Sequence, residues 1–132
     1  MKNPAELAGM REAHLRDGAA LAGFLAWLEA SVASGAALTE ASIDEELSRR
    51  RGAQPGFVEP SFPTIAGAGP NGAVIHYRAA AATARPVGPT TLLLLDSGAQ
   101  YDCGTTDITR TMHFGEPSPH QKLCFTRVLQ VG

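Results

Sequence analysis

Residues 91–114 read TLLLLDSGAQYDCGTTDITRTMHF, and this stretch decides the fold class. The apolar run at residues 91–96 has the length of a buried strand, and residues 105–114 alternate in the way a half-buried strand does. Gly98 and Gly104 mark a turn between the two segments. The stretch therefore predicts two antiparallel strands that pair as a hairpin.

Two aspartates occupy the neighbouring ends of these strands. Asp96 ends the run of leucines, and Asp107 follows eleven residues later in the facing strand. If the strands pair, the two carboxylates come side by side, and a divalent cation would remove their repulsion by taking their oxygens as hard ligands. The local alternative is that Asp96 bonds to turn backbone near Ser97 and Gly98 while Asp107 forms a salt bridge with Arg110. By itself the aspartate pair favours the local alternative, but it does not exclude a metal site.

The N-terminal residues predict a long amphipathic helix. Asn3, Pro4 and Glu6 supply a capping side chain, a first-turn proline and a third-position glutamate, which is the order that starts a helix. Apolar residues at three- and four-residue steps carry the helix to about residue 31. His14 falls on this apolar stripe, so we expect it to be a hydrogen-bonded histidine in the core.

The rest of the chain predicts shorter elements separated by turns. Further helices are expected at residues 39–51 and 118–129, where capping signals precede apolar periodicity. Short strands are expected at residues 64–66 and 73–77, with loops rich in proline and glycine around them. This order favours an α+β fold in which helices pack on a mostly antiparallel sheet, with one domain or part of one in residues 1–132.

Composition makes some classes of partner improbable. Eleven basic and thirteen acidic residues give a formal charge of -2, and the basic residues are scattered apart from residues 49–51, so neither nucleic acid nor an anionic membrane is expected. The longest apolar run, residues 92–95, is far shorter than the roughly 20 residues of a membrane-spanning helix. Cys103 and Cys124 lack a CxxC spacing, which argues against a disulfide framework. We expect a cytoplasmic protein.

The sequence motifs around the two aspartates identify a protein family more specifically than the aspartate pair does. LLLDSGAQY at residues 93–101 and GTTDITRT at residues 104–111 resemble the metal-ligand hairpin of Xaa-Pro aminopeptidases, members of the pita-bread-fold family shared with prolidase, creatinase and methionine aminopeptidase. MHFG at residues 112–115 is similar to the larger, multidomain cytosolic enzymes of that branch. The resemblance covers essentially the whole chain, through GMREAH (9–14), FLAWLE (24–29), LTE (38–40), SFPTI (61–65) and NGAVIHY (71–77).

The resemblance implies a ligand set and an incomplete pita-bread fold. In that family two divalent ions, commonly manganese, are held by two aspartates, one histidine and two glutamates. Asp96 matches the aspartate that ligates one ion, and Asp107 matches the aspartate that bridges both. The remaining ligands lie downstream, so we expect residues 1–132 to be the N-terminal portion of a metallopeptidase catalytic domain that stops before them. His76 matches the histidine that lines the substrate pocket, although a lone strand histidine is more often structural.

Several polar residues are assigned no catalytic role. His113 lies in a predicted strand and His120 in the first turn of a predicted helix. Cys103 stands where relatives commonly carry an acidic residue before the turn glycine, and without an activating base it is expected to be an ordinary turn residue. Arg110 is expected to be a structural partner for a carboxylate.

The function implied by the resemblance is release of the N-terminal residue from peptides with proline in the second position, through water activated by two metal ions. A homodimer is one arrangement open to the full-length enzyme. For the 132-residue chain alone we expect weak metal binding and no turnover. One alternative is a non-catalytic truncated homologue that binds a partner through an unfilled apolar face on its third helix. A blander alternative is a structural hairpin without metal.

Overall fold

The computed structural model describes residues 1–131, in which three helices accompany seven short strands. The helices are α1 (Pro4–Ala33), α2 (Glu40–Gly52) and α3 (Pro119–Val131). The strands are β1 (Leu38–Thr39), β2 (Phe57–Pro60), β3 (Ile65–Ala68), β4 (Pro86–Val87), β5 (Leu92–Ser97), β6 (Ala99–Tyr101) and β7 (Ile108–His113). The three predicted helices are confirmed, and every ladder within the described residues is antiparallel, as expected.

Helix α1 begins at the predicted capping box. The Glu6 N–H donates to Asn3 Oδ1 at 2.9 Å, and the Asn3 N–H donates to Glu6 Oε2 at 2.8 Å. Two N–H groups that the helix cannot pair internally are thereby satisfied. Gly35, with φ of 76°, follows the C-terminal cap residue Ser34. The helix therefore starts and stops on local signals that are visible in the sequence.

The buried face of α1 differs from the predicted apolar stripe. Its buried residues are Ala13, Asp17, Ala20, Leu21, Phe24, Leu28 and Val32. His14 is exposed, and its Nδ1 lies 2.7 Å from the Met10 carbonyl oxygen of the same helix, so the prediction of a core histidine was wrong. The physical reason is that the small Ala13 and the carboxylate of Asp17 face inward, which turns His14 toward water.

The main core lies between α1, α2 and a three-stranded sheet. Phe24 and Leu28 of α1 meet Ile43 and Leu47 of α2 in one buried cluster. Leu93, together with Leu95, completes that cluster from β5. These helices thus cover one face of the sheet, as an α+β arrangement requires.

The sheet carries the predicted hairpin, with β5 between β3 and β7. Residues of β5 alternate in burial: Leu93, Leu95 and Ser97 are buried, while Leu92, Leu94 and Asp96 are half-buried on the opposite face. The predicted strand at residues 105–114 is shorter than expected, because Thr105 forms only an isolated bridge with Gln100 and β7 begins at Ile108. The connection between β5 and β7 contains β6, which pairs with β2. The hairpin is confirmed, and its loop belongs to a second small sheet.

The predicted strand at residues 73–77 does not form. A 3₁₀ helix (Gly69–Ala73) and a turn occupy this region, with Val74 and Ile75 exposed. A proline near the start of the 3₁₀ helix favours a tight turn. The backbone of Gly72 packs against Gly67, because a Cβ added to Gly67 would lie 2.7 Å from the Gly72 Cα. The chain folds back over β3 instead of extending, so apolar residues that looked like a strand remain unpaired.

Helix α3 also begins at its predicted capping box. The Gln121 N–H donates to Ser118 Oγ at 3.2 Å, and the Ser118 N–H donates to Gln121 Oε1 at 2.7 Å. None of its residues through Val131 is buried. The exposed large apolar residues of this helix are Leu123, Phe125, Val128, Leu129 and Val131, and binding of a partner there stays a prediction.

Candidate metal centre

Asp96 projects from β5 on the face of the sheet that the helices leave open. It pairs in register with Thr109 of β7, and the Thr109 hydroxyl donates to Asp96 Oδ1 at 2.8 Å. The side chain is half-buried, like Leu92 and Leu94 on the same face. One carboxylate oxygen is thus held by a neighbour, and Asp96 is oriented by the opposite strand.

Asp107 lies directly before β7 and on the same face. Thr106 is buried and Ile108 packs against the main core, whereas Asp107 and Thr109 are exposed. Because side chains alternate between faces with a period of two, Asp107 shares the face of Thr109 and therefore of Asp96. The ladder ends at the pair of Ser97 and Ile108, and continuing its register by one residue makes the two aspartates diagonal neighbours, a relation in which backbones lie about 7–8 Å apart.

Neither aspartate has the partner that the local alternative requires, which is turn backbone for Asp96 and Arg110 for Asp107. The Arg110 guanidinium donates to the Thr109 carbonyl oxygen at 2.7 Å, and no ion pair within residues 1–131 includes Asp96 or Asp107. Asp96 bonds to a side-chain hydroxyl rather than to turn backbone. Two carboxylates on one accessible face, without a cationic partner, fit the oxygen ligands that hard divalent cations take.

The fit to a metal is partial. Across residues 1–131, no group of three His, Cys, Asp or Glu side chains converges in a way that could hold an ion. Asp96 and Asp107 by themselves supply two carboxylates, and their assignment as metal ligands stays a prediction. The expected histidine and two glutamates stay a prediction.

The structure places His76 in the turn after the 3₁₀ helix. Its backbone is left-handed, with φ of 57°, and its side chain is exposed. No hydrogen bond among the described residues joins it to Asp96 or Asp107. The assignment of His76 to a strand was wrong, and its role at a substrate pocket stays a prediction.

A buried ionic cluster that the sequence reasoning missed holds the segment before Asp107. Arg51 donates to Asp17 through Nε at 2.8 Å and Nη2 at 3.0 Å, and both side chains are buried. The Tyr101 and Thr106 hydroxyls also donate to Asp17, at 3.0 and 2.9 Å. Burial, reinforced by the Asp17 carboxylate, raises the pKa of the Tyr101 phenol. The cluster ties the hairpin loop to both long helices.

Close backbone approach adds a second anchor for the loop. A Cβ on Gly98 would lie 2.1 Å from the Thr106 carbonyl oxygen, and a Cβ on Gly9 would lie 2.2 Å from the Cys103 carbonyl oxygen. Only glycine fits at such separations. The loop between the two aspartates therefore packs directly on α1.

Glu40 forms a second buried centre that the sequence reasoning missed. Its carboxylate accepts hydrogen bonds from the Ala68 and Arg85 N–H groups and from the Asn71 and Tyr77 side chains, at 2.7–2.9 Å. Burial alone would raise the pKa of Glu40, but these hydrogen bonds outweigh it and hold the pKa below its usual value. In the sequence, Glu40 stands in the first turn of α2, where any acidic residue is favourable near the helix dipole, so its type and position do not reveal the buried centre.

Comparison with known proteins decides the family. The sequence model of metallopeptidase family M24 matches residues 8–131. This chain belongs to metallopeptidase family M24.

Two curated aminopeptidases match the M24 chain over nearly its whole length. It is 57% identical over 130 residues to aminopeptidase P2 of Arabidopsis thaliana, a match that covers 98% of the chain and 18% of the relative. It is 47% identical over 130 residues to the Xaa-Pro aminopeptidase ApepP of Drosophila melanogaster, covering 98% of the chain and 21% of the relative. The chain thus spans about a fifth of the length of these curated relatives.

Solved structures agree with this assignment. The M24 chain superposes on the X-prolyl aminopeptidase of Caenorhabditis elegans, a cytosolic enzyme with a di-nuclear active site, with a TM-score of 0.89 and 41% identity, covering 92% of this chain and 20% of that one. The X-Pro aminopeptidase of Thermotoga maritima gives a TM-score of 0.82 at 26% identity, covering 98% and 34%. These comparisons confirm the resemblance to Xaa-Pro aminopeptidases and the α+β, pita-bread fold class. Within residues 1–131, no helix has the length and apolar character needed to cross a membrane.

Proposed function

We propose that this M24 chain contributes Asp96 and Asp107 to a two-metal aminopeptidase site that releases the first residue of peptides with proline second. The observation that carries the proposal is the pair of carboxylates on one accessible face of the β5–β7 hairpin, without a cationic partner among residues 1–131. The high identity to aminopeptidase P2 supports it. We also propose that residues 1–132 form the N-terminal portion of the catalytic domain.

Each candidate residue has a distinct task in this proposal. Asp96 and Asp107 would bind two divalent ions, with manganese as the proposed metal, and the Thr109 hydroxyl orients Asp96. Bound divalent ions would supply Lewis acidity, which polarises a carbonyl and acidifies water. His76, exposed in its turn, would hold or move a proton at the substrate.

The proposed substrate follows from the chemistry of the bond. An amide before proline has no N–H, so recognition of the peptide as an extended strand fails at that position. A dedicated pocket is needed for such a bond. We therefore propose proline-containing peptides as substrates and the cytoplasm as the location, in line with the cytosolic C. elegans enzyme, and leave the homodimer as a prediction.

The activity is tested on the longest natural form of the chain, which means the complete protein in which residues 1–132 occur. We expect manganese-dependent release of the first residue from Xaa-Pro peptides, and far slower release from the matched Xaa-Ala peptides. Asp96→Asn or Asp107→Asn should abolish release, whereas Asp44→Asn on α2 should not affect it. Equal release by the aspartate variants and an active parent protein would rule out the two carboxylates as ligands, whereas no release by the parent protein would favour the non-catalytic alternative.

A further inference from the structure

Glu40 is a buried carboxylate that pairs with no basic side chain among residues 1–131. Its exposed fraction is 0%, and none of the ion pairs in that part of the chain includes it. Arg85, one of its four hydrogen-bond partners, contributes its backbone N–H rather than its guanidinium. Burying an unpaired charge is unfavourable unless hydrogen bonds compensate, so the four donors around Glu40 are its main support.

Two of those donors bracket His76. Asn71 Nδ2 donates to Glu40 Oε1 at 2.9 Å, and Tyr77 Oη donates to Glu40 Oε2 at 2.8 Å. Asn71 Nδ2 also donates to Tyr77 Oη at 2.9 Å. The three side chains therefore close residues 71–77 into a ring, with His76 directly before the closing tyrosine.

The backbone of His76 depends on this closure. A left-handed φ of 57° is disfavoured for a residue with a side chain, and it persists only when the surroundings hold it. Inside the ring, the Tyr77 N–H donates to the Val74 carbonyl oxygen and the Val74 N–H donates to the Asn71 carbonyl oxygen, both at 3.1 Å. The exposed His76 side chain makes no hydrogen bond among the described residues. The position of the imidazole is therefore set by the backbone of the residues on either side of it.

We propose that Glu40 is a positioning residue for His76, acting through Asn71 and Tyr77 to fix the turn that presents the imidazole. The functional part of this inference rests on the proposed role of His76 at the substrate. The structural part stands on the hydrogen bonds alone. Glu40 itself does not touch substrate or metal in this proposal.

The structural part is tested by NMR on the isotopically labelled chain. Tyr77→Phe removes one donor and leaves Glu40 with the other three, so the fold should survive. We expect the heteronuclear NOE of residues 74–76 to fall toward the values of the chain termini, and the His76 Cα and Cβ shifts to leave the left-handed range. Glu40→Gln should produce the same changes more strongly. Glu46→Gln, the same replacement on the same helix, should leave the turn unchanged.

An unchanged His76 in a folded Tyr77→Phe chain would overturn the proposal. This variant decides the question even if Glu40→Gln fails to fold.

The functional part is tested by a double-mutant cycle in the longest natural form of the chain, with an Xaa-Pro peptide. Tyr77→Phe should lower kcat about tenfold or more with little change in KM, because displaced catalytic groups lose rate rather than binding. The double variant with His76→Ala should be no slower than His76→Ala alone, within about twofold. Fully additive losses would show that Tyr77 does not act through His76. Full activity of His76→Ala would refute the proposed function of His76, while the NMR result would still decide the structural part.

Discussion

The Asp96 carboxylate shows how one neighbour across a β-sheet can orient an aspartate near the end of a strand. The Thr109 hydroxyl holds Oδ1 at 2.8 Å, while Arg110 bonds to backbone instead of competing for the carboxylate. Hydrogen bonds to a ligating carboxylate fix its orientation and typically affect metal affinity by about 10–100-fold. Thr109 was not singled out from the sequence, because only the β5–β7 register reveals that it faces Asp96.

Replacing Thr109 tests this orientation. Thr109→Val keeps the β-branched shape and removes the hydroxyl, so we expect manganese affinity to fall about 10–100-fold. The measurement is a manganese titration of the longest natural form of the chain. Thr111→Val, two residues along the same strand, is the matched control and should bind like the parent. A similar affinity for all three proteins would exclude Thr109 as an orienting residue.

At the scale of elements, helix α1 is the platform on which the hairpin loop is built. Asp17 anchors the loop through Tyr101 and Thr106, and Gly9 allows the Cys103 backbone to approach the helix. These contacts join residues far apart in sequence, and a buried carboxylate cannot be recognised until its partners are known. The capping boxes and the leucine strand depend on neighbouring residues, which is why they were predicted correctly.

Two glycines of α1 give a matched pair of substitutions. Gly9→Ala would place a Cβ 2.2 Å from a backbone oxygen, so we expect it to destabilise the chain by about 3 kcal/mol. Gly18→Ala has nothing within 4 Å and should stabilise the chain by about 0.5–1 kcal/mol, because glycine is unfavourable inside a helix. Urea unfolding of both variants measures the difference. Equal midpoints would show that the loop does not need the close approach at Gly9.

Across the whole molecule, the sequence predicted what local patterns determine. The α+β class, the three helices, the hairpin and the exposed apolar residues of α3 all appear in the structure. The strand at residues 73–77 does not form and His14 does not lie in the core, because tertiary contacts decide both. For the candidate site, the prediction that Asp96 and Asp107 are metal ligands rested on the sequence motifs around them. Their supporting network came only from the structure.

Acid pH should weaken the fold as a whole. Hydrogen bonds from Arg49 lower the pKa of Glu46 to about 2 from an ordinary 4.5, with Arg50 adding to the effect. A lowered carboxyl pKa contributes stability that is present above the unfolded value and lost as pH falls toward the folded one. Urea midpoints should therefore drop between about pH 4.5 and 2, and Glu46→Gln should make the drop shallower than the neighbouring control Glu45→Gln does. A midpoint independent of pH across this window would contradict this expectation.

The central claim, that Asp96 and Asp107 form one metal site, is tested most directly by manganese titration of the ¹⁵N-labelled chain. Paramagnetic broadening detects even weak binding at individual amides. We predict that the amides of Asp96 and residues 107–109 broaden first, that Asp96→Asn and Asp107→Asn each abolish this broadening, and that Asp44→Asn leaves it intact. Broadening that begins elsewhere, or that is the same in all four proteins, would contradict the claim.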